Sequence, residues 1–377
     1  MSSAIPITVL TGFLGSGKTT LLKRLLQQPE MSGTAVIINE FGDVGLDDAL
    51  VEKADEDTVL LPSGCVCCAV RGDLTKALAK LHRQSMYGEI PTIKRVVLET
   101  SGLADPTPIA HTLMTDEDTY RIYQLDGIVT TVDAQHALVQ LDANFEPAKQ
   151  IAMADRIVLT KTDLVETAAV TALEARIRAL NRGGQILRVV KGETEPSRLI
   201  GLGAHEPALT GADPERWLGF NPETAADHHV HDARCAADCS HDHHAHNHAH
   251  NHNHEHVHAG EQHDHKHEHL HGIASFSLEF DKPLDGNALS LALQTLAAAY
   301  GEKLLRVKGI ATVEGQSKPF VVHGVQHIFY PPDVLADWPK GSDGERNKRS
   351  RFVFITRDLD KAIVQKHMAP FLGPPVG

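Results

Sequence analysis

The sequence is poor in the features that mark secreted and membrane proteins. It has only five cysteines in 377 residues, and three of them fall within four positions, so there is no spaced disulfide framework. No apolar run approaches the roughly 20 residues of a membrane-spanning helix, and the opening MSSAIPITVL lacks the basic start of a signal peptide. We therefore expect a cytoplasmic protein with reduced thiols and no membrane partner.

Positive charge is also scarce. Lys and Arg number 36 against 49 Asp and Glu, which gives a formal net charge of -13 with neutral histidines. Nucleic-acid binding depends on clustered Lys and Arg that neutralise phosphates, so this acidic surplus argues against a nucleic-acid partner. Proteins and small molecules are the favoured partners.

Two regions of regular pattern flank one polar segment. From Ile5 to about Val190, short apolar runs rich in β-branched residues alternate with helical patterns, which predicts an α/β domain with a mostly parallel sheet. After position 272 the order is strand, helix, several strands and a last helix from about Leu359 to His367, which predicts a smaller α+β domain with an antiparallel sheet. The predicted domains are residues 1–200 and 272–377, joined by a flexible His-rich linker at 201–271.

The motif GFLGSGKT has the context that a phosphate-binding P-loop requires, since it follows a predicted strand and opens a predicted helix. Glycines let backbone N–H groups turn inward around phosphates, the Lys18 amine reaches the outer phosphates, and the Thr19 hydroxyl binds Mg²⁺. The predicted phosphate-binding residues are Gly12, Phe13, Leu14, Gly15, Ser16, Gly17, Lys18, Thr19 and Thr20.

The motif TKTD follows the predicted strand RIVLT, at the sheet edge where open α/β sheets bind ligands. Asp163 can accept hydrogen bonds from N1–H and the N2 amine of guanine, and the stem of Lys161 can lie along the base, which favours GTP. An ordinary turn with Asp163 as a helix cap is the alternative. Thr160 stands where many guanine-binding motifs have Asn, and this replacement removes an amide that braces the loop.

Glu99 ends the hydrophobic strand VVLE and is followed closely by Gly102. A carboxylate there can hold the Mg²⁺ shell or position the attacking water, and Gly102 lets the backbone approach the γ-phosphate. Lys18 and Glu99 are thus the candidate catalytic residues. The segment INEFGDVGLD, from Asn39 to Asp47, has the position of a switch loop, although its acids could equally lie in a solvated loop.

Cys65, Cys67 and Cys68 crowd a turn after the strand-like TVLLP. Three thiolates with one further ligand form a tetrahedral soft site that suits Zn²⁺, and the candidates for the fourth ligand are Glu40, an exogenous thiol and water. Redox chemistry and inert packing are the alternatives, but a disulfide between the neighbours Cys67 and Cys68 would be strained.

Eighteen of the 25 histidines lie between His228 and His271, interleaved with acids and with Cys235 and Cys239. Neutral imidazoles at this density bind Zn²⁺, Ni²⁺ or Co²⁺ weakly and at several sites, which suggests metal loading or buffering. The alternative is a hydrophilic linker without a metal function.

Taken together, TGFLGSGKTT, INEFGD, GCVCC, ETSGLADP, TKTDL and the His-rich tract resemble the CobW family of metal-chaperone GTPases, over nearly the whole chain. The resemblance implies a G domain related to nickel-delivery GTPases, a CobW C-terminal domain, and a metal bound between two nucleotide-sensing loops. It assigns phosphate binding to Gly12 to Thr19, metal binding to Cys65, Cys67 and Cys68, switch roles to Glu40 and Glu99, and guanine recognition to Lys161 and Asp163.

The leading hypothesis is a GTPase that uses Mg²⁺, binds Zn²⁺ and delivers it to a client metalloprotein. A cobalt chaperone for cobalamin synthesis is the first alternative, because members of the family serve different metals. Passive metal storage in the His-rich tract and a kinase-like, ATP-dependent transferase are the others. The sequence leaves homo-oligomer formation open.

Overall fold

The computed structural model describes residues 4–38, 59–62, 71–202, 218, 270–330, 332–335, 338 and 348–376. Two sheets organise this part of the chain, and both predicted architectures are confirmed. Of the predicted linker, only residues 201, 202, 218, 270 and 271 are among those described. The predicted domain boundaries remain a prediction.

The N-terminal sheet has seven strands within the described residues, in the order β3-β2-β4-β1-β5-β6-β7, and every neighbouring pair is parallel. Its strands are β1 (Ile5–Gly12), β2 (Thr34–Ile38), β3 (Val59–Pro62), β4 (Arg95–Glu99), β5 (Tyr123–Asp133), β6 (Arg156–Thr160) and β7 (Gln185–Val189). The accompanying helices are α1 (Lys18–Leu26), α2 (Arg71–Met86), α3 (Thr107–Thr115), α4 (Glu117–Tyr120), α5 (Ala137–Ala143), α6 (Phe145–Met153) and α7 (Thr167–Leu180).

Both faces of this sheet are covered, as a parallel sheet requires. The face under α1 is packed by Leu21, Leu22, Leu25 and Leu26, whose helical spacing places them on one side of the helix. The opposite face packs against α2, α3, α6 and α7 in the larger core. None of the helices in the described ranges combines the length and the apolar character that crossing a bilayer requires.

The C-terminal sheet is antiparallel, in the order β11-β10-β9-β13-β8, with β12 paired to β10. Its strands are β8 (Ile273–Phe280), β9 (Leu304–Ala311), β10 (Phe320–Val325), β11 (Ile328–Phe329), β12 (Asp333–Val334) and β13 (Ser350–Arg357), and its helices are α8 (Gly286–Tyr300) and α9 (Lys361–Leu372). Alternation in SFSLEF predicts one inward face for Phe276, Leu278 and Phe280, and all three lie in the core of this domain.

The last helix differs from its prediction. The sequence pattern places it at about residues 359–367, whereas α9 begins at Lys361 and ends at Leu372. Pro370 lies inside the helix and removes one backbone hydrogen-bond donor. The helix nevertheless continues, because Met368 is buried in the C-terminal core and Leu372 packs against it.

The second face of the C-terminal sheet packs on the N-terminal domain around a buried cluster of charges. Asp155, which precedes β6, accepts two 2.6 Å hydrogen bonds from Arg306 of β9 and lies 2.5 Å from the Lys308 amine. Arg306 also donates to the Met153 carbonyl oxygen. Burial alone raises the pKa of Asp155, but the charges of Arg306 and Lys308 outweigh that effect and hold the pKa below its ordinary range. The carboxylate therefore stays ionised between the two domains.

Candidate functional site

The loop between β1 and α1 has the backbone shape of a phosphate cradle. Gly12, Gly15 and Gly17 have φ values of 139°, 72° and 94°, in the left-handed region that favours glycine. A Cβ at Gly12 would lie 2.4 Å from the Thr131 carbonyl oxygen, so no side chain fits there. The residues of the loop therefore fit a bound phosphate chain, because this backbone turns successive N–H groups inward.

Lys18 lies over this cradle. Its amine donates hydrogen bonds to the carbonyl oxygens of Gly12 at 2.8 Å and Phe13 at 3.2 Å. The charged end of the side chain is thus already held at the loop. From this position it can pair with the outer phosphates of a nucleotide.

Thr19 and Glu99 meet where the first turn of α1 faces the end of β4. The Thr19 hydroxyl donates a 2.9 Å hydrogen bond to one Glu99 carboxylate oxygen, and Glu99 is buried. A hydroxyl and a carboxylate are hard oxygen ligands of the kind that Mg²⁺ prefers. The pair fits a magnesium site beside the phosphate cradle.

The 100–106 loop follows Glu99 and rests on the P-loop. The Thr100 amide donates to the Leu10 carbonyl oxygen at 2.9 Å, which continues the β1–β4 pairing past the strand end. A Cβ on Gly102 would lie 2.7 Å from the Leu14 nitrogen and 2.8 Å from its Cα, so only glycine permits this approach. The structure thus brings the backbone of Gly102 against the loop that would hold the phosphates.

The TKTD segment lies on the other side of the P-loop. Lys161 has a left-handed backbone, with φ 57°, and its amine donates to the Gly15 carbonyl oxygen at 2.9 Å and to Asp133 at 2.6 Å. Asp163 is exposed in the following 3₁₀ turn, Thr162–Leu164. The structure therefore brings Lys161 to the P-loop and leaves Asp163 accessible beside it.

Thr160 braces the P-loop despite the missing amide. Its hydroxyl lies 2.8 Å from the Ser16 carbonyl oxygen and 3.2 Å from that of Val132, and it is buried. Thr160 in place of Asn removes an amide, but its hydroxyl still links the end of β6 to the P-loop at Ser16.

Asp133 is a residue of this site that the sequence analysis misses. It ends β5, its side chain is 2% exposed, and it accepts hydrogen bonds from Lys161, His136 and the Gln135 amide. Burial raises the pKa of Asp133, but these hydrogen bonds lower it by a larger amount, so the net pKa is below the ordinary value. The sequence feature that could have identified Asp133 is its position at the carboxyl end of the strand-like run GIVTTVD, the edge at which open α/β sheets bind ligands.

The predicted metal ligands Cys65, Cys67, Cys68 and Glu40 lie outside the described residues, as do the INEFGDVGLD segment and most of the His-rich tract. Within the part of the chain that the structure describes, no group of three or more His, Cys, Asp or Glu side chains converges to hold a metal. What the structure does describe is the backbone before the thiols. Pro62 pairs with Ile38 of β2, and Ile38 pairs in turn with Glu99 of β4.

Comparison with known protein families gives two matches. Residues 6–188 match the family described as "CobW/HypB/UreG, nucleotide-binding domain". Residues 273–372 match "Cobalamin synthesis protein cobW C-terminal domain". The two matches coincide with the parallel and the antiparallel sheet.

Several characterised proteins are similar along the chain. The Escherichia coli zinc chaperone YjiA is 31% identical, with 97% of this chain and 98% of that protein covered. The zinc chaperone CobW of Sinorhizobium sp. is 28% identical over 96% of this chain and 95% of that protein. The zinc-regulated GTPase metalloprotein activator 1 of Schizosaccharomyces pombe is 32% identical over 63% of this chain and 58% of that protein.

A solved structure agrees with these sequence matches. The crystal structure of the Zn(II)-bound YjiA GTPase from E. coli superimposes with a TM-score of 0.65 at 28% identity, covering 98% of this chain and 99% of that one. The similarity extends through both domains rather than through the P-loop region alone. The chain belongs to the CobW family of P-loop GTPases.

Proposed function

We propose that this protein is a GTP-hydrolysing zinc chaperone, which binds Zn²⁺ at Cys65, Cys67 and Cys68 and passes it to a client metalloprotein under nucleotide control. Glu40, an exogenous thiol or water completes the zinc coordination. Three relatives are named for zinc, and two of these match this chain over at least 95% of both lengths. In this proposal the zinc ion is the cargo that is delivered, whereas GTP and Mg²⁺ are the substrate and the cofactor of the GTPase reaction.

The strand register at the sheet edge carries the proposal. Pro62, Ile38 and Glu99 are consecutive partners across β3, β2 and β4. Neighbouring strands are about 4.8 Å apart, so the Pro62 backbone is about 10 Å from that of Glu99. Cys65 follows Pro62 by three residues in the sequence. The described strand that precedes the thiols in the sequence therefore ends at the sheet edge at which Glu99 meets Thr19, which supports coupling between metal and nucleotide.

The nucleotide roles follow from the contacts around the P-loop. Backbone N–H groups of residues 12–19 bind the phosphates, Lys18 pairs with the outer ones, and Thr19 with Glu99 holds Mg²⁺. When bound, Mg²⁺ neutralises charge on the β- and γ-phosphates. Glu99 orients the Thr19 hydroxyl that donates to it, and its carboxylate would help to hold Mg²⁺. The backbone of Gly102 lies where it can contact the γ-phosphate.

Base recognition is assigned to Lys161 and Asp163. Asp133 holds the Lys161 amine, which fixes the stem of that side chain beside the P-loop. Asp163 then accepts from N1–H and the N2 amine of guanine, groups that adenine does not offer in that arrangement. Replacement of Asp163 by Asn should therefore shift the preference from GTP towards xanthosine triphosphate.

The proposal is tested by measuring zinc affinity in three nucleotide states. Competition with a chromophoric chelator gives the Zn²⁺ dissociation constant of protein loaded with a non-hydrolysable GTP analogue, with GDP, or with no nucleotide. Coupling of the usual size would separate the GTP-analogue and GDP values by about 5 to 150-fold, and zinc must then change the ratio of GTP-analogue to GDP affinity by the same factor. Equal zinc affinities in all three states would refute nucleotide control.

Two variants separate the thiol site from the His-rich tract. Cys67→Ala should abolish the nucleotide-dependent component of zinc binding, whereas the matched change Cys235→Ala, inside the tract, should leave it intact. Deletion of residues 227–269 should lower the number of weakly bound ions without changing the coupled site. If the deletion removes the coupling and Cys67→Ala does not, storage in the tract is the better description.

A further inference from the structure

Helix α6 connects the 100–106 loop to the C-terminal domain. On one side, the buried Gln150 side-chain amide donates to the carbonyl oxygens of Gly102 at 3.1 Å and Ala104 at 3.0 Å. The neighbouring Lys149 amine lies 2.6 Å from an Asp105 carboxylate oxygen. Three residues of the loop are thus held by two adjacent residues of one helix.

The C-terminal domain holds the same helix at both ends. At its end, Arg306 donates to the Met153 carbonyl oxygen and pairs with Asp155 just beyond it. At its start, the guanidinium of Arg357 lies 4.3 Å from the centre of the Phe145 ring, and the His271 ring packs edge-on against the same ring. A movement of α6 therefore has to be followed by the C-terminal sheet, or it has to break these contacts.

The loop has little room to move independently of α6. Gly102 already abuts the Leu14 backbone on the P-loop side. A shift of the Gly102 peptide towards or away from a γ-phosphate would therefore alter the hydrogen bond that its carbonyl oxygen accepts from Gln150. Because the Gln150 amide is buried, losing its acceptors without replacement is costly, which keeps the loop and helix together.

We propose that Gln150 is a positioning residue for the 100–106 loop, and that α6 transmits the nucleotide-dependent position of this loop to the C-terminal sheet through Met153, Asp155 and Arg306. The C-terminal domain then favours one nucleotide state over the other. This inference goes beyond zinc delivery, since it requires GTP binding at the P-loop but no metal at the thiols. Failure of the protein to bind nucleotide would disprove the proposed GTPase function. Normal nucleotide binding without coupling between the 100–106 loop and the C-terminal sheet would disprove only this inference.

The test uses the full chain without zinc and measures affinities for fluorescent GDP and for a fluorescent non-hydrolysable GTP analogue. Gln150→Leu keeps a side chain of similar size but removes the donor. We expect the ratio of GTP-analogue to GDP affinity to change by about tenfold, within the usual range of coupling, while GDP affinity stays within about twofold. Gln294→Leu, which alters an exposed amide on α8, is the matched control and should leave the ratio unchanged.

A second experiment alters the contact from the side of the C-terminal domain. Arg306→Lys retains the charge but loses the fork that contacts Met153 and both Asp155 oxygens at once. It should change the affinity ratio in the same direction as Gln150→Leu, and the double variant should be no worse than the stronger single one. The control Arg349→Lys affects a pair with Asp281 within the C-terminal domain. Independent, additive effects or an unchanged ratio would overturn the proposal.

Hydrogen exchange keeps the test decisive if Arg306→Lys does not fold. In the unmodified protein, the amides of β9 should exchange at different rates in the GTP-analogue and GDP states, and Gln150→Leu should remove that difference. A purely structural role for Gln150 would lower protection equally in both states. Equal exchange of β9 in the two states of the unmodified protein would also overturn the proposal.

Discussion

Lys308 offers a quantitative test of the buried contact between the domains. Its side chain is 7% exposed and its amine lies 2.5 Å from Asp155, with the positive charges of Arg306 and Arg156 also close enough to act on it. Burial lowers the pKa of Lys308 to about 8 from the ordinary 10.5, and Asp155 offsets only part of that effect. The perturbation we propose is Lys308→Met, which keeps an unbranched side chain only one atom shorter and removes the titrating group.

The sign of the pH effect follows from proton counting. Between pH 8 and 10.5 the unfolded chain still holds the Lys308 proton while the folded chain has released it, so the free energy of unfolding rises with pH. Between pH 7.5 and 9.5, these two pKa values correspond to a gain of about 2 kcal/mol from this residue alone. In Lys308→Met that gain should vanish, because Met does not titrate.

Urea unfolding followed by circular dichroism at pH 7.5 and 9.5 measures this difference. The free energy of unfolding of the unmodified protein, relative to Lys308→Met, should increase by about 2 kcal/mol between the two pH values. Lys318→Met, at an exposed position, is the matched control and should follow the unmodified protein at both pH values. Parallel pH profiles for the unmodified protein and Lys308→Met would refute the reasoning.

Three further predictions concern the nucleotide site. Gly102→Ala should slow GTP turnover at least tenfold while GDP still binds, because the new Cβ meets the Leu14 backbone; single-turnover hydrolysis and GDP titration test this. Asp133→Asn should weaken GTP binding about tenfold by releasing Lys161 from a charge-assisted hydrogen bond, as calorimetry would show; unchanged affinity would exclude that role. Thr160→Val should lower the free energy of unfolding by about 1–3 kcal/mol, since it leaves a buried P-loop carbonyl without its donor, whereas Thr160→Ser should restore it.

The parts of the fold that the sequence predicts well are set by local rules. A strand, a turn that only glycine can make and a helix follow one another in GFLGSGKT, so the P-loop can be located without knowing the rest of the chain. Glu99 can be placed near Thr19 because Glu99 ends one parallel strand and Thr19 lies in the helix that follows another, and the 2.9 Å contact between them agrees with that placement. Alternation likewise identifies the inward face of β8.

The parts that the sequence does not predict depend on which distant elements meet. Asp133 and Lys161 each end a strand, but only the order β5-β6 in the sheet makes them partners. Arg306 and Asp155 are 151 residues apart in the sequence, and the residues next to each of them give no indication that the two side chains form an ion pair. Gln150 is an unremarkable polar position in a short helix until its two carbonyl acceptors are known.

The buried pairing of Asp155 with Arg306 also constrains how the gene can change. Loss of one charge leaves the others buried with an incomplete set of partners, and replacing only Asp155 and Arg306 by apolar residues would leave the Lys308 amine, 2.5 Å from Asp155, without its counter-charge. Changes at these three positions are therefore expected to be concerted, with single changes removed and joint changes retained. A recombinant that exchanges one domain between distant family members has to combine compatible residues at all three positions.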